Sequence, residues 1–469
     1  MKYARAALVA GCMAALPALA QAAELEGASL ALWWAVPFAG LLLSIALMPL
    51  LLPSIWHHHF GKITAAWALA FLVPLVLMHG AGAAAVSFVH ALLAEYLPFV
   101  ILLTALYVVA GGIYIRGSLT GTPVLNTAIL ALGAVLASFM GTTGASMLLI
   151  RPLIRANAHR SKVVHIVVFF IFIVSNAGGS LTPLGEPPLF LGFLKGVDFS
   201  WTLLHIWPQA LFLIGALLAL FFVLDCWMAR GDVAVAQPAQ AAREPLGFDG
   251  KLNFALLGAV VGLVLLSGMW KSAVAFDILG TEVGLPGLVR DIGLIGVALL
   301  SLVLTPKQVH ADNQFGWGPM QEVAKLFAGI FLTIIPVIAM LKAGVDGPFG
   351  AIVRAVTNPD GTPNTAMYFW ATGALSSFLD NAPTYLVFFN TAGGDPAALM
   401  TALAPTLVAI SAGAVFMGAN SYIGNAPNLM VKAIAEDRGV RMPSFFGYML
   451  WSTAILIPLF VVMTYIWFL

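Results

Sequence analysis

The chain has 469 residues, of which 61% are hydrophobic and 9% charged, and its formal net charge is +1 at pH 7. Its mean hydropathy is +0.99. A soluble core cannot absorb that much apolar surface, so the composition predicts an all-α polytopic protein in a lipid bilayer. The near-neutral charge by itself says nothing about nucleic-acid or acidic partners, and no nucleic-acid partner is expected of such a membrane protein. With only Cys12 and Cys226, the chain has neither a disulfide framework nor a cysteine-based metal site.

The first 23 residues have the features of a secretory signal peptide. Lys2 and Arg5 form a basic start, residues 6–16 are an apolar run too short to span a membrane, and small residues at 18–22 offer cleavage sites. An uncleaved N-terminal helix is the alternative. Cleavage would leave the mature N-terminus on the periplasmic side of a bacterial-type inner membrane.

Apolar stretches of about 20 residues predict the membrane spans that follow. They are residues 29–53, 63–80, 97–115, 163–196, 201–229, 252–270, 291–305, 323–343, 399–431 and 446–468. Two of these, 163–196 and 399–431, are too long for one straight helix and contain Gly, Pro and Asn clusters, so we expect broken helices. Two further apolar segments, 123–150 and 366–392, are interrupted at 141–144 and 380–383 and are interpreted as re-entrant hairpins.

This layout gives each half five transmembrane helices and one re-entrant hairpin, with one broken helix per half. Its predicted inner loops carry most of the Lys and Arg residues, as cytoplasmic loops do. An odd number of spans per half makes the halves inverted repeats, with the first hairpin entering from the cytoplasm and the second from outside. The predicted repeats are 24–230 and 251–469, joined by a cytoplasmic linker at 231–250.

Two pairs of polar clusters repeat along the chain at the same separation. SFMGTTG at 138–144 and SFLDNAP at 377–383 lie 239 positions apart, as do PLGEPPL at 183–189 and YIGNAPN at 422–428. Matched interruptions in the two halves of a membrane chain are the best sequence indication of a transporter's binding site.

The interrupted segments supply oxygen ligands and close backbone approach at membrane depth. Small hard cations such as Na⁺ prefer oxygen ligands, and glycines let the backbone come close to an ion. The candidate ion- or substrate-binding residues are Thr142, Thr143, Asn176, Gly178, Gly179, Thr182, Glu186, Asp380, Asn381, Asn420, Ser421, Asn425 and Asn428. Na⁺ and H⁺ are expected here as transported or coupling ions, with no resident metal or cofactor.

Glu186 and Asp380 are the only acidic residues that this layout places deep in the membrane region. An ionisable group at that depth is costly and is by default a functional hypothesis. A buried carboxylate that also binds a cation can exchange a proton for Na⁺, which is the elementary step of antiport. The alternative is that either carboxylate caps the N-terminus of a half-helix.

Three other groups of polar residues have plainer interpretations. Arg151, Arg155 and Arg160 after the first hairpin are predicted orientation signals in a cytoplasmic loop, although Arg151 could instead line an inner vestibule and attract anions. The histidines at 57–59 are predicted in a membrane-surface loop rather than at a metal, and Asp225 is expected at the membrane interface.

The segments NAGGSLTPLGEPP, LDNAP and IGNAPNL resemble the ion-transporter superfamily that includes D-type sodium/proton antiporters, arsenite carriers and citrate/dicarboxylate carriers. The family segment Asn-x-Gly-Gly…Thr-Pro-x-Gly-Asp maps onto Asn176, Gly178, Gly179, Thr182, Pro183, Gly185 and Glu186, with Glu186 in place of the more usual Asp. Asp380 and Asn381 match the Asp-Asn of the antiporter branch, while the Ser-Asn-Thr signatures of sodium/dicarboxylate carriers are not intact. The whole layout also resembles a subgroup of citrate carriers.

The resemblance implies a scaffold domain, a transport domain made of the hairpins and broken helices, frequent homodimerisation, and an elevator-like movement in some members. We therefore expect a secondary active transporter and not an enzyme. The leading hypothesis is a Na⁺/H⁺ antiporter that uses Glu186 and Asp380, because the layout contains no equally deep basic residue. The alternative is a cation-coupled transporter of citrate or another carboxylate, with the hairpin N-termini holding the anion.

Overall fold

The computed structural model describes residues 25–230, 232 and 245–469. The predicted signal peptide at 1–23 and most of the predicted linker at 231–250 lie outside these residues. Within the described part of the chain, eight helices are long and apolar enough to span a membrane, or nine if Gly318–Thr333 and Ile335–Lys342, bent by 42°, count as one span. The chain is an all-α polytopic membrane protein.

The described helices and strands follow one another in a regular order. The first helices are α1 (Val36–Leu51), α2 (Pro53–His90), α3 (Leu97–Gly111), α4 (Pro123–Ala156), α5 (Val164–Ile173), α6 (Pro187–Leu194), α7 (Trp201–Arg230), α8 (Leu252–Met269), α9 (Leu285–Leu304) and α10 (Lys307–Asp312). The remaining helices are α11 (Gly318–Thr333), α12 (Ile335–Lys342), α13 (Gly350–Ala355), α14 (Thr365–Phe378), α15 (Asn381–Thr391), α16 (Pro396–Met400), α17 (Ala404–Met417), α18 (Ala426–Asp437) and α19 (Phe445–Trp467). Two short antiparallel ribbons pair β1 (Tyr114–Arg116) with β2 (Gly247–Asp249) and β3 (Ala275–Ile278) with β4 (Thr281–Gly284).

The chain divides into two compact units, each drawn from both halves of the sequence. The first unit comprises Met1–Leu102, Leu266–Ile292 and Gly318–Arg354. Its core includes the buried side chains of Trp34 and Phe71, whose ring centroids lie 6.1 Å apart.

Helix α2 of this unit differs from the sequence prediction in two respects. It breaks at Gly80, with φ of +86°, where the predicted span 63–80 ends, but it then continues to His90. The exposed histidines at 57–59 lie on this helix, so the prediction of a surface loop there is wrong. The stretch after Gly80 is rich in alanine, a strong helix former, so the helix continues there although the predicted apolar span has ended.

The second unit comprises Leu103–Leu265, Gly293–Trp317 and Ala355–Leu469. Helix α5 lies at its centre, and every residue from His165 to Ile173 is buried. A helix that is apolar on all sides must be surrounded by protein or lipid, and α5, whose sequence VHIVVFFIFI has no polar face, is surrounded by protein. This unit contains all of the candidate ion- or substrate-binding residues.

Helix α4 is a hairpin. It breaks at Gly141, where φ is +77° and ψ 150°, a conformation that favours glycine. The two ends of α4 meet, because Asn126 Nδ2 donates to Asn157 Oδ1 at 3.0 Å and Asn157 Nδ2 donates back to Asn126 Oδ1 at 2.8 Å. In one straight helix these residues would lie roughly 46 Å apart. The chain therefore doubles back at the predicted interruption.

Helices α14 and α15 form the second hairpin, on either side of a break at Leu379 and Asp380. The rings of Tyr368 and Phe388, on opposite arms, have centroids 6.3 Å apart, against about 30 Å along a straight helix. Both long spans are broken as expected: a tight turn at Ala177–Leu181 separates α5 from α6, and another at Gly418–Asn420 separates α17 from α18.

The contacts between hairpins and broken helices recur at the separation of 239 residues. Hydroxyl groups at equivalent positions donate to equivalent backbone carbonyls, and equivalent backbone amides donate to those hydroxyls. The recurring bonds are Thr182 to Ser138 O and Ser421 to Ser377 O; Ser138 Oγ to Gly178 O (2.6 Å) and Ser377 Oγ to Met417 O (3.1 Å); and Leu184 N to Thr182 Oγ1 (3.2 Å) and Ile423 N to Ser421 Oγ (3.2 Å).

Candidate functional site

The carboxylate of Glu186 is the central group of the site. The residue is 1% exposed. Its Oε2 accepts a hydrogen bond from Asn381 Nδ2 at 3.2 Å, its Oε1 accepts one from Asn425 Nδ2 at 2.9 Å, and the Thr142 hydroxyl donates a third. These donors are all neutral and all belong to the candidate residues. The structure therefore brings three widely separated sequence positions around one acid.

The donors to Glu186 are related by the 239-residue separation. Asn425 is the counterpart of Glu186 itself, and Thr142 and Asn381 are counterparts of each other. Glu186 therefore lies where the two clusters meet, and it is bonded to both hairpin breaks. An amide stands at the equivalent position in the second cluster, so this centre contains one carboxylate rather than a symmetric pair.

Four helices begin at these residues. The second arm of α4 starts at Thr142 and α15 starts at Asn381, while Glu186 and Asn425 immediately precede α6 and α18. The N-terminus of a helix carries a partial positive charge and unpaired backbone N–H groups. Neither Glu186 nor Asn425 makes a side-chain capping bond to its own helix. The helix dipoles therefore favour negative charge at this centre, where the acidic groups are Glu186 and, at the start of α15, Asp380.

Asp380 has a different role from Glu186. Its side-chain Oδ1 accepts a hydrogen bond from the backbone N–H of Ala382 at 3.0 Å, which makes it the N-cap of α15. The capping alternative therefore describes Asp380 and does not describe Glu186. The two carboxylates are close enough to interact electrostatically, but only Glu186 bonds to both clusters.

A second layer of amides fixes how Asn425 faces Glu186. Asn176 Nδ2 donates to the Ile171 carbonyl at 2.8 Å, so Asn176 Oδ1 is free to accept from Asn425 Nδ2 at 3.1 Å. The Ser175 carbonyl also accepts from Asn425 Nδ2, at 3.0 Å. Because carbonyls can only accept, these bonds orient the amide so that its nitrogen faces Glu186.

Asn428 ties this layer to the second broken helix. Its Nδ2 donates to the carbonyls of Gly418 and Ser421, each at 2.9 Å, and its Oδ1 accepts from Asn176 Nδ2 at 2.7 Å. Both residues are fully buried. The predicted Asn176 and Asn428 are thus hydrogen-bonded to each other, and Asn176 connects the pair to Glu186 through Asn425.

The predicted glycines allow close packing against Glu186. A Cβ atom on Gly179 would lie 2.6 Å from Glu186 Cγ and 2.7 Å from Thr142 Cγ2. A Cβ on Gly178 would lie 2.6 Å from Ala134 Cα. Neither position has room for a side chain, so the backbone of the turn at Ala177–Leu181 forms one wall of the site.

The other predicted residues support the hairpins. The hydroxyls of Thr182 and Ser421 donate to the carbonyls of Ser138 and Ser377, and Asn420 Nδ2 donates to Ser377 Oγ at 2.9 Å. Thr143 is half-buried and follows Thr142 on the same arm of α4. The serines at 138 and 377 were not among the candidates, although their repeated Ser-Phe sequence indicated them.

Asn381 leaves one buried acceptor beside the carboxylate. Its Nδ2 donates to Glu186, while its Oδ1 has no hydrogen-bond partner within the described part of the chain. A carboxylate next to an amide oxygen is a donor set that hard cations prefer. The residues present therefore suit a small cation as a transported or coupling ion.

A buried ionic cluster at the base of the first hairpin was missed. Asp225 is fully buried, forms an ion pair with Arg160 (Nη2 to Oδ1, 2.6 Å), and is hydrogen-bonded to His165 Nε2 at 2.8 Å and Asn126 Nδ2 at 2.9 Å. Asp225 and Arg160 are thus paired inside the protein, a contact that their predicted roles at the membrane interface and in a cytoplasmic loop did not include. The cluster joins α4, α5 and α7. The sequence did contain a signal for this cluster, because Asp225 is the single acidic residue in the apolar helix α7.

Arg151 differs from the predicted orientation signal in a cytoplasmic loop. Arg151 is 6% exposed and lies in the second arm of α4, not in a loop. Arg155 lies on the same arm, one helical turn further on. The first hairpin thus extends beyond the predicted limit of residue 150.

Apolar helices, hairpins that double back and a polar centre built on broken helices define a multi-pass membrane transporter. A family model described as "Putative citrate transport" matches residues 27–468. The chain belongs to this family, in agreement with its resemblance to citrate carriers. No curated protein matches the chain.

Proposed function

We propose that the chain is a cation-coupled transporter of citrate or a related carboxylate in a bacterial-type inner membrane. The observation that carries this proposal is the meeting of four helix N-termini around Glu186. Helix N-termini favour anions, and in transporters they bind the carboxylates of substrates. The family description supports the same substrate class.

Coupling follows from the Glu186 carboxylate at the meeting point of these helix N-termini. An ionised Glu186 repels an incoming carboxylate, and this repulsion is strong in a site removed from water. A proton or a small cation held by Glu186 and Asn381 Oδ1 cancels the repulsion, so that the helix N-termini become available to the substrate. Cation and substrate then raise each other's affinity, which is the thermodynamic requirement for coupled transport.

Sodium/proton antiport through a pair of carboxylates has less support. In that hypothesis Glu186 and Asp380 both exchange ions, yet Asp380 is hydrogen-bonded as a helix cap. One exchanging carboxylate suffices for a coupling ion. The antiport hypothesis therefore serves as the competing outcome of the experiment.

The test is uptake of radiolabelled citrate by the purified protein in liposomes, with imposed Na⁺ or pH gradients. We expect concentrative uptake that requires one of these gradients. Glu186→Gln should remove the dependence on the cation gradient, because glutamine keeps the shape but cannot ionise. Glu282→Gln, an exposed acid on β4, is the matched control and should behave as the wild type.

Two results would count against the proposal. Sodium-driven collapse of a pH gradient without any citrate uptake would favour antiport. Unchanged cation dependence in Glu186→Gln would remove Glu186 from the coupling site.

A further inference from the structure

Arg151 is a buried cation without an acidic partner. Its residue is 6% exposed, and no carboxylate forms an ion pair with it among residues 25–230, 232 and 245–469. Its contacts are Gln314 Oε1, at 3.3 Å from Nε and 3.2 Å from Nη2, and the Met147 carbonyl, at 3.5 Å from Nη1. Buried arginines are normally paired with an acid, since burying an uncompensated charge is costly.

Gln314 adopts an unusual backbone conformation. Its φ is +50°, and among the described non-glycine residues only it and Leu279 have positive φ. The loop around Gln314 is held firmly, because Asn313 Nδ2 donates to the carbonyls of Gly111 (2.8 Å) and Ile113 (2.7 Å). Backbone strain of this kind persists where the surroundings enforce it and is common at functional sites. Gln314 is exposed, so the guanidinium lies just beneath an accessible side chain.

The charges facing Arg151 are mainly positive. Arg438 and Arg155 repel it, while Asp437 attracts it without forming an ion pair. Arg155 is occupied elsewhere, since its Nη1 donates to the Tyr114 hydroxyl at 2.5 Å and its Nη2 to the Ile115 carbonyl at 2.7 Å. Arg155 bonds to neutral groups as Arg151 does but is only half-buried, so Arg151 is the buried guanidinium that no acid pairs with among the described residues.

We propose that Arg151 and Gln314 form a second anion site, which binds one carboxylate group of the substrate outside the Glu186 centre. This inference rests on the proposed function. A guanidinium offers several N–H donors in a planar fork that fits a carboxylate, and the Gln314 amide adds a further donor. A bound carboxylate supplies the counter-charge that Arg151 does not receive from any described residue.

The position of Arg151 makes this a separate site on the same rigid element. It lies nine positions after Thr142 on the second arm of α4, about 14 Å along a helix. The second arm of α4 thus has the proposed anion site towards its C-terminal end and the Glu186 centre at its N-terminal end.

The experiment measures citrate binding by titration calorimetry and uptake in liposomes for Arg151→Gln, Arg151→Lys and the matched control Arg155→Gln. We expect Arg151→Gln to raise Kd and the uptake KM by about tenfold or more, the loss of a charge-assisted hydrogen-bonded pair. Arg151→Lys should recover part of the affinity, because it keeps the charge but not the fork. Arg155→Gln should stay close to the wild type.

Thermal stability separates a binding role from a structural one. Removing an unpaired buried charge should leave the Tm of Arg151→Gln unchanged or raised, whereas a structural arginine would lower it. Gln314→Gly is the second variant: glycine tolerates the positive φ, so the protein should fold, and loss of the side chain should raise KM severalfold.

The possible outcomes distinguish this inference from the proposed function. If the wild type neither binds nor transports citrate, the proposed function fails. If the wild type transports citrate and neither Arg151→Gln nor Gln314→Gly alters Kd or KM, the second site is refuted while the proposed function stands. A lower Tm with unchanged affinity in Arg151→Gln would likewise refute it.

Discussion

Adding one methyl group at Gly179 should displace the Glu186 side chain. The new Cβ would lie 2.6 Å from Glu186 Cγ, 2.7 Å from Thr142 Cγ2 and 2.8 Å from the Gly185 carbonyl oxygen. Carbon atoms in ordinary contact are about 3.5–4.0 Å apart, so Glu186 Cγ would have to move by about 1 Å. Overpacking of this kind costs about 1–3 kcal/mol. We therefore expect Gly179→Ala to lower the Tm by a few degrees and to weaken cation-dependent citrate uptake.

Two glycine variants provide matched controls. Gly215 lies on α7 with no atom within 4 Å of an added Cβ, so Gly215→Ala should be neutral or stabilising by about 0.5–1 kcal/mol. Gly418 is the counterpart of Gly179 at the 239-residue separation, but an added Cβ there would meet its nearest atoms, Asn176 Oδ1 and the Gly424 carbonyl oxygen, at 3.3 Å.

Gly418→Ala should therefore cost less than Gly179→Ala, although the two positions are equivalent in sequence. The assay is thermal unfolding in detergent together with citrate uptake in liposomes. Equal stability and equal cation dependence in Gly179→Ala and wild type would refute the close packing of Glu186 against the turn. Equal losses in Gly179→Ala and Gly418→Ala would refute the asymmetry between the two clusters.

Two further substitutions separate capping from ionic roles. Asp380→Asn should keep uptake and stability close to wild type, because an asparagine oxygen still accepts the Ala382 N–H, whereas Asp380→Ala should cost about 1 kcal/mol in thermal unfolding; abolished cation dependence in Asp380→Asn would instead make Asp380 an exchanging group. Asp225→Asn should destabilise the protein by about 1–3 kcal/mol, since Arg160 Nη2 and His165 lose their charged partner while Arg160 Nε keeps the Asp232 carboxylate at 3.2 Å. Adding Arg160→Gln should recover part of that loss in the same unfolding assay, and a fully additive double variant would contradict the pairing.

The class of fold and the chain breaks could be predicted from the sequence because they depend on local chemistry. Apolar stretches of sufficient length predicted the spans, and polar Gly/Pro-rich interruptions predicted where helices stop. The hairpin break at Gly141 and the break before Asn381 lie where the repeated motifs indicated. The 239-residue separation also identified equivalent residues in the two halves. In the structure, equivalent residues make equivalent hydrogen bonds, as Thr182 and Ser421 do.

The roles of the charged residues were decided only by tertiary structure. Glu186 and Asp380 look alike in sequence, yet Glu186 accepts from Asn381 and Asn425, 195 and 239 positions away, while Asp380 accepts from an amide two positions along the chain. Likewise, Arg151 followed a predicted hairpin like any orientation signal, and only the packing around it leaves its charge uncompensated. Length and hydropathy determine which segments enter a membrane, but the function of an ionisable group depends on which distant donors and charges the fold brings to it.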